Sequence, residues 1–284
     1  MKALYDVPAP AKLNTFLHVN GRRADGYHLI QSVFMLIDWC DTLHFELRKD
    51  GQISRFDLQG TCDAALPAED LTVRAAKALQ VACGTTFGVD ISLEKRIPSQ
   101  AGMGGGSSDA ASCLLALQRL WGIELPREKL MAIALSLGAD VPFFMCGGNA
   151  WVEGVGERIT PIALPSADFV VIKQRHGLST QAIFSAPTLK RDTGTATIES
   201  FAGNGEVEHF EFGCNDLQPV AEALCPEITQ SLSWLLSLGF KGRMTGSGSA
   251  VFAQVPRNLD LPVAPSEWQS RKCCNLQAHP LAGW

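Results

Sequence analysis

Ile97-Pro98-Ser99-Gln100-Ala101-Gly102-Met103-Gly104-Gly105-Gly106-Ser107-Ser108-Asp109-Ala110-Ala111 is the stretch around which the chain is organised. An alternating strand pattern over residues 89–97 runs into it. A helix pattern leaves it, with Ala110, Cys113, Leu114, Leu117, Leu120 and Trp121 recurring at helical spacing. Gly122 supplies a stop. Ser107 and Ser108 are read as the N-cap, where a hydroxyl accepts from an unpaired N–H. The four glycines let the backbone reach φ > 0 and let a ligand approach it closely. A helix N-terminus adds free N–H groups and the positive end of the dipole. The stretch is therefore read as an anion site with phosphate as its occupant. Most glycine clusters are merely flexible loops; the well-formed helix behind this one argues for more. Two common phosphate loops are excluded on residues. No Gly-x4-Gly-Lys-Ser/Thr string occurs, and the third glycine of the dinucleotide pattern is replaced by Ser107 or Asp109.

The 284 residues suffice for two domains or one large one. A net charge of −5 argues against bulk attraction to nucleic acid or to an anionic membrane surface. Small-molecule partners are expected, with no nucleic acid, no membrane, and a monomer or weak homodimer. Nine cysteines include no Cys-x-x-Cys pair, so neither a metal site nor a disulfide framework is legible. Several fall on apolar faces, where cysteine acts as a small hydrophobe. No secretory-signal pattern and no apolar run of membrane-spanning length is seen, and a reducing, cytoplasmic setting is expected.

In chain order, residues 7–19 alternate as a strand: Ala11, Leu13, Thr15, Leu17 and Val19 on one face, Lys12, Asn14, Phe16 and His18 on the other. Lys12 and Asn14 side by side suit a site, although a strand lysine is more often solvated. Gly21-Arg22-Arg23-Ala24-Asp25-Gly26-Tyr27-His28 reads as a turn, either a solvated basic loop or a recognition loop. Strands are predicted at 29–37 and 42–47, and helices at 68–82 and 126–137, the latter closed by Gly138. Asp140, in Gly138-Ala139-Asp140-Val141-Pro142, is either a turn residue or a carboxylate made a stronger base by apolar neighbours. A strand over 150–153 follows, and the proline-punctuated segment 158–166 marks the boundary between domains 1–160 and 161–284.

The second half opens with a strand at 169–173 and a short helix from Ser179 carrying Phe184. Residues 186–213 read as a loop-rich insert. Helices at 217–224 and 227–238 lead to a second small-residue loop, Gly242-Arg243-Met244-Thr245-Gly246-Ser247-Gly248-Ser249, and a strand over 250–254. That loop on its own reads equally well as a tight turn. Little helix is expected after Pro256, before a last strand at 272–276.

Three segments, Pro10-Ala11-Lys12-Leu13-Asn14, residues 98–111 and residues 244–250, resemble in order and spacing the three motifs of the GHMP kinase superfamily. Gly21 to His28, Leu137-Gly138-Ala139-Asp140-Val141-Pro142 and Glu153-Gly154-Val155-Gly156-Glu157 resemble the branch that acts on 4-diphosphocytidyl-2-C-methyl-D-erythritol, in the methylerythritol phosphate route to isoprenoids. The resemblance implies an α/β (α+β two-layer) GHMP kinase fold. Its N-terminal lobe would be like ribosomal protein S5 domain 2, its C-terminal lobe ferredoxin-like. It implies an ATP-dependent phosphotransferase, with Mg²⁺ carried by ATP and no metal held by the protein. Gly102, Met103, Gly104, Gly105, Gly106, Ser107 and Ser108 would wrap the ATP phosphates. Lys95, Pro98, Ser99, Gln100 and Ala101 would complete the nucleotide site, the adenine lying near Lys95. Asp140 would take the proton from the C2 hydroxyl, with Lys12 beside it. Asn14 would position that hydroxyl. Tyr27, Phe34 and Phe184 would stack on the cytosine and His28 would bond its edge, with Thr180, Gly246 and Ser247 joining the substrate set.

Other readings are a GHMP kinase for mevalonate, homoserine or a sugar, a non-catalytic sensor of the same fold, and a nucleic-acid-binding module. The pyrimidine-suited aromatic loop, the retained Lys12 and Asp140, and the negative charge respectively weigh against them.

Overall fold

The structure is a computed structural model and describes residues 2–58, 66–203 and 209–284. Cys62 and the part of the insert at 204–208 lie outside the described residues. Two sheets carry the chain. The first holds β1 (Ala3–Arg22), β2 (His28–Arg48), β3 (Ile53–Leu58), β4 (Gly88–Glu94), β5 (Ala150–Gly154) and β6 (Arg158–Pro161). Its order is β3-β4-β2-β5-β6, with β1 along the other edge of β2. The C-terminal half of β2 pairs with β4 and its N-terminal half with β5, so this strand is the spine of the sheet. The second sheet holds β7 (Asp168–Lys173), β8 (Arg243–Met244), β9 (Val251–Val255) and β10 (Gln269–Cys274), in the order β10-β7-β9-β8. With all pairs antiparallel, this is the strand order of a ferredoxin-like plait. The crossover from β9 to β10 lacks the second helix of that plait; residues 256–268 contain none.

Helices α1 (Leu71–Cys83), α2 (Gly105–Trp121), α3 (Arg127–Leu137) and α4 (Val141–Met145) bury their apolar stripes on one face of the first sheet. Phe16, Val33, Met35 and Trp151 from the other face meet Phe169, Val171 and Phe252 of the second sheet in an inter-sheet core. Beyond it, α5 (Thr180–Ser185), α7 (Gln218–Leu224) and α8 (Pro226–Ser237) cover the far side of β7 and β9, while α6 (Ile198–Ala202) sends Phe201 into the inter-sheet core. The period of two in β7 is legible here: Phe169 and Val171 face one core, Val170 and Ile172 the other.

Several expectations are corrected. The strands expected at 29–37 and 42–47 are one. The polar residues between them are satisfied by distant backbone: Asp38 accepts from Cys274 N (2.9 Å), and Asp41 accepts from Ile97 N (2.8 Å) and from Arg96 N. Those bonds also stop β4 at Glu94, short of residue 97. The alternation of β1 holds only in pieces. Register shifts between Pro10 and Lys12 and between Asn14 and Leu17 flip the strand, so Phe16 joins Ala11 and Leu13 in the inter-sheet core rather than sharing a face with Lys12. The N-cap of α2 is Gly104, at φ 71°, with no side-chain cap; Ser107 and Ser108 lie in the first helical turn. Strand β6 occupies the start of the proline-punctuated segment, and α4 begins unannounced, with Pro142 in its first turn.

Candidate active site

The glycine loop lies between the two sheets, at the floor of a cleft of about 1340 Å³. Backbone bonds hold it from both sides. Lys12 N donates to Met103 O (3.0 Å), Ser249 N to Gln100 O (3.1 Å) and Ala250 N to Ala101 O (3.2 Å). The first and third motifs are thus stitched to the second through main chain, which side-chain bulk would obstruct. A Cβ on Gly102, at φ 72°, would collide with the Thr245 carbonyl and lie 2.8 Å from Gly248 N; one on Gly104 would lie 3.0 Å from the Phe144 ring. Gly102→Ala is therefore expected to raise the KM for ATP at least about tenfold, since strain at a positive φ and a backbone clash cost a few kcal/mol. Steady-state kinetics at saturating acceptor substrate check this; an unchanged KM overturns it.

Helix α2 leaves the loop with the N–H groups of its first turn outside the helical ladder, which begins with Ser108 N donating to Gly104 O (2.9 Å). The cleft is lined by residues 97–107, so Pro98, Ser99, Gln100, Ala101, Gly102, Met103, Gly104, Gly105, Gly106 and Ser107 all reach it. Ser108 does not: it is fully buried on the inner side of the helix.

Lys12 is 3% exposed, which overturns its reading as a solvated strand lysine. Its ammonium donates to Asn14 Oδ1 at 2.5 Å, lies 3.8 Å from Asp140 Oδ2, and sits 4.8 Å from the Phe34 ring centroid. Burial pulls its pKa down, and the Asp140 carboxylate partly offsets that. The Asp140 side chain keeps 33% exposure, so it is open to the cleft. Asn14 is more fully occupied than a substrate-binding role alone predicts. Its Oδ1 also accepts from Thr245 Oγ1 (3.3 Å) and its Nδ2 donates to Ser32 Oγ (2.8 Å). It orients Lys12.

Lys95 lines the cleft, but its ammonium is held by Asp41 and by Asp109 Oδ2 (2.6 Å). Burial pushes the Asp109 carboxyl up to about 8, against the pull of Lys95; the Asp41 charge adds to the rise. The two carboxylates together carry Lys95 above its ordinary range despite its burial. This trio braces the N-terminal part of α2, just past its first turn, against β2. Spacing could not reveal it, because Asp41 is 54 residues from Lys95.

Tyr27, His28, Phe34, Phe184, Thr180, Gly246 and Ser247 line the same cleft. The His28 and Phe184 rings are 4.9 Å apart, and Thr180 Oγ1 bonds Ser247 Oγ at 2.7 Å, linking α5 to the third motif. Phe34 stands apart from the first pair, beneath Lys12 and edge-on to Phe143 at 5.1 Å. Every residue expected in the site except Ser108 is thus brought to one cleft. Residues not foreseen are Thr245, Ser32, Asp41, Asp109 and Arg191. Of these, Thr245 and Asp109 lie within the quoted loops and could have been singled out there.

A model of the GHMP kinases N terminal domain matches residues 70–148, and one of the GHMP kinases C terminal matches residues 204–270. A protein of Polaromonas sp. (strain JS666 / ATCC BAA-500) is 72% identical, spanning all of this chain and 95% of its own. One of Acidovorax sp. (strain JS42) is 62% identical, spanning 100% and 99%. Both are named 4-diphosphocytidyl-2-C-methyl-D-erythritol kinase. A solved structure of 4-(cytidine 5'-diphospho)-2C-methyl-D-erythritol kinase superposes with a TM-score of 0.76 at 32% identity, covering 94% of this chain and 98% of that one. The Methanococcus jannaschii mevalonate kinase shares the fold, with a TM-score of 0.64 at 13% identity over 96% and 98% of the two chains.

Proposed function

The chain belongs to the GHMP kinases, and we infer from that membership and from the site that it transfers the γ-phosphoryl group of ATP to the 2-hydroxyl of 4-diphosphocytidyl-2-C-methyl-D-erythritol. The products are the 2-phosphate and ADP. The observation that carries the mechanism is the Lys12–Asp140 pair, 3.8 Å apart in the cleft that the glycine loop floors.

Phosphoryl transfer asks mostly for positioning and charge stabilisation. Asp140, open to the cleft, takes the hydroxyl proton as the oxygen attacks. Lys12, oriented by Asn14 and 3.8 Å from the Asp140 carboxylate, offsets charge on the transferring group. The N–H groups of Gly105, Gly106 and Ser107 face the phosphates at the positive end of α2. Tyr27, His28 and Phe184 flank the cytosine, with Phe34, Thr180, Gly246 and Ser247 along the rest of the acceptor path. The nucleotide contacts run along the loop from Pro98, its adenine on the Lys95 side.

We propose that Mg²⁺ would arrive with the nucleotide; the carboxylates beside the loop, Asp41 and Asp109, are engaged by Lys95. Mg²⁺ is commonly held through substrate phosphates and water. When bound it neutralises phosphate charge.

We further propose two domains, 1–160 and 161–284. Sheet membership supports a division close to that point, β1–β6 lying in one sheet, with β6 ending one residue past it at Pro161, and β7–β10 in the other.

The test is ADP release with Mg-ATP and 4-diphosphocytidyl-2-C-methyl-D-erythritol, beside mevalonate and homoserine as acceptors. Turnover with the cytidyl compound alone is the expected result. Turnover with another alcohol keeps the kinase and overturns the acceptor; none with any acceptor overturns the activity.

A further inference from the structure

Arg191, in the stretch between α5 and α6, has no place in the chemistry above, yet it bonds the His28 ring and the backbone carbonyl of Phe184, two of the residues that flank the base. Its Nε donates to His28 Nε2 at 2.9 Å. Its two terminal nitrogens donate to Leu189 O (3.0 Å), Phe184 O (3.0 Å) and Ala186 O (2.8 Å). A guanidinium is always charged and has no acceptor. His28 Nε2 must therefore present its lone pair, and the single ring proton of the neutral imidazole must sit on Nδ1. Burial and the cations of Arg191 and Arg22 lower the His28 pKa, which keeps the ring neutral. Nδ1 has no hydrogen-bond partner among the described residues, and His28 lines the cleft. The ring is clamped besides, by Phe184 at 4.9 Å.

We propose that Arg191 is a positioning residue: it fixes His28 as the Nδ1–H tautomer, and that one donor selects a cytosine over a uracil base. Cytosine offers an unprotonated N3 on its pairing edge, which accepts from Nδ1–H. Uracil carries a proton on N3, so two donors would face each other. Without Arg191 the imidazole can place its proton on either nitrogen, and the donor that distinguishes the bases becomes an acceptor part of the time. The assignment of the base compartment rests on the functional reading above; the tautomer does not.

The experiment has two arms. Nitrogen-15 NMR of the histidine rings, on the intact chain without substrate, reads the tautomer directly. The wild-type His28 is expected as pure Nδ1–H, Arg191→Met as a mixture, and Arg191→Lys, which restores one cationic donor, as Nδ1–H again. A wild-type Nε2–H ring or an imidazolium overturns the proposal whatever the enzyme does. The second arm compares kcat/KM for the cytidyl acceptor and its uridine analogue. Arg191→Met is expected to lower the cytidine-over-uridine ratio by about tenfold or more, the effect of one mismatched buried hydrogen bond. Arg191→Lys recovers the ratio even though it loses most of the carbonyl bonds, which a merely structural role would not allow. An unchanged ratio in Arg191→Met overturns the selection. Wild-type protein inactive on the cytidyl acceptor overturns the functional reading instead, while the NMR arm still decides the tautomer.

Discussion

Asp140→Asn is expected to lower kcat by about 10³-fold while leaving the protein folded and ATP-binding intact. General-base catalysis contributes ~10²–10⁴-fold, and the amide cannot take a proton. Asp140 has the access this requires, with a third of its side chain open to the cleft. The amide is nearly isosteric, and Asp140 caps no helix by its side chain, so structural loss is small. A second consequence separates this from simple damage. The Asp140 charge raises the Lys12 pKa against burial. Without it Lys12 loses its proton at lower pH, and the alkaline limb of the residual activity moves down. Pre-steady-state and steady-state rates across pH measure both. A kcat within tenfold of wild type would show that the base lies elsewhere.

Lys12→Met is expected to cost about 10²–10³-fold in kcat, the usual loss when one preorganised charge is removed from a site. Its effect on stability should be opposite in sign to that of most active-site truncations. Lys12 is buried, and its ammonium is stabilised by Asn14, Asp140 and the Phe34 ring against a large desolvation cost. Methionine fills similar volume with no charge to desolvate, and Asn14 Oδ1 keeps Thr245 as a donor. Thermal stability is therefore expected to hold or rise. The pH dependence carries a sign. The folded-state pKa of Lys12 lies below its unfolded value, so between the two the unfolded chain binds the extra proton. Wild-type stability accordingly gains as pH rises through that window, because the buried charge is being discharged. Lys12→Met lacks that gain. Urea unfolding at neutral and alkaline pH, beside kcat, checks both; a large fall in stability that tracks the lost activity would recast Lys12 as structural.

Residue identity and local spacing determined a good deal by themselves. Glycines at 102, 104, 105 and 106 followed by a helical stripe specify a loop at a helix N-terminus, because backbone sterics and helix periodicity are local. The 126–137 helix, the Ser179 cap of α5 and the buried strand at 169–173 follow from equally local rules. The bulges of β1 did not. A bulge is set by which partner strand the chain meets, and it put Phe16 into the inter-sheet core against the simple alternation.

The strand spine β2 was hidden for a related reason. Asp38 and Asp41 look like breaks until Cys274 and residues 96–97, far away in sequence, arrive to satisfy them. The site divides the same way. Lys12, Asp140 and the glycine loop could be named from motifs, because the chemistry demands those residue types. That Lys12 is buried, that Asn14 orients it, that Ser108 turns inward and that Arg191 grips His28 were decided by tertiary packing alone. Burial and hydrogen-bond partnership depend on residues brought together from distant parts of the chain, and no local pattern of residues encodes them.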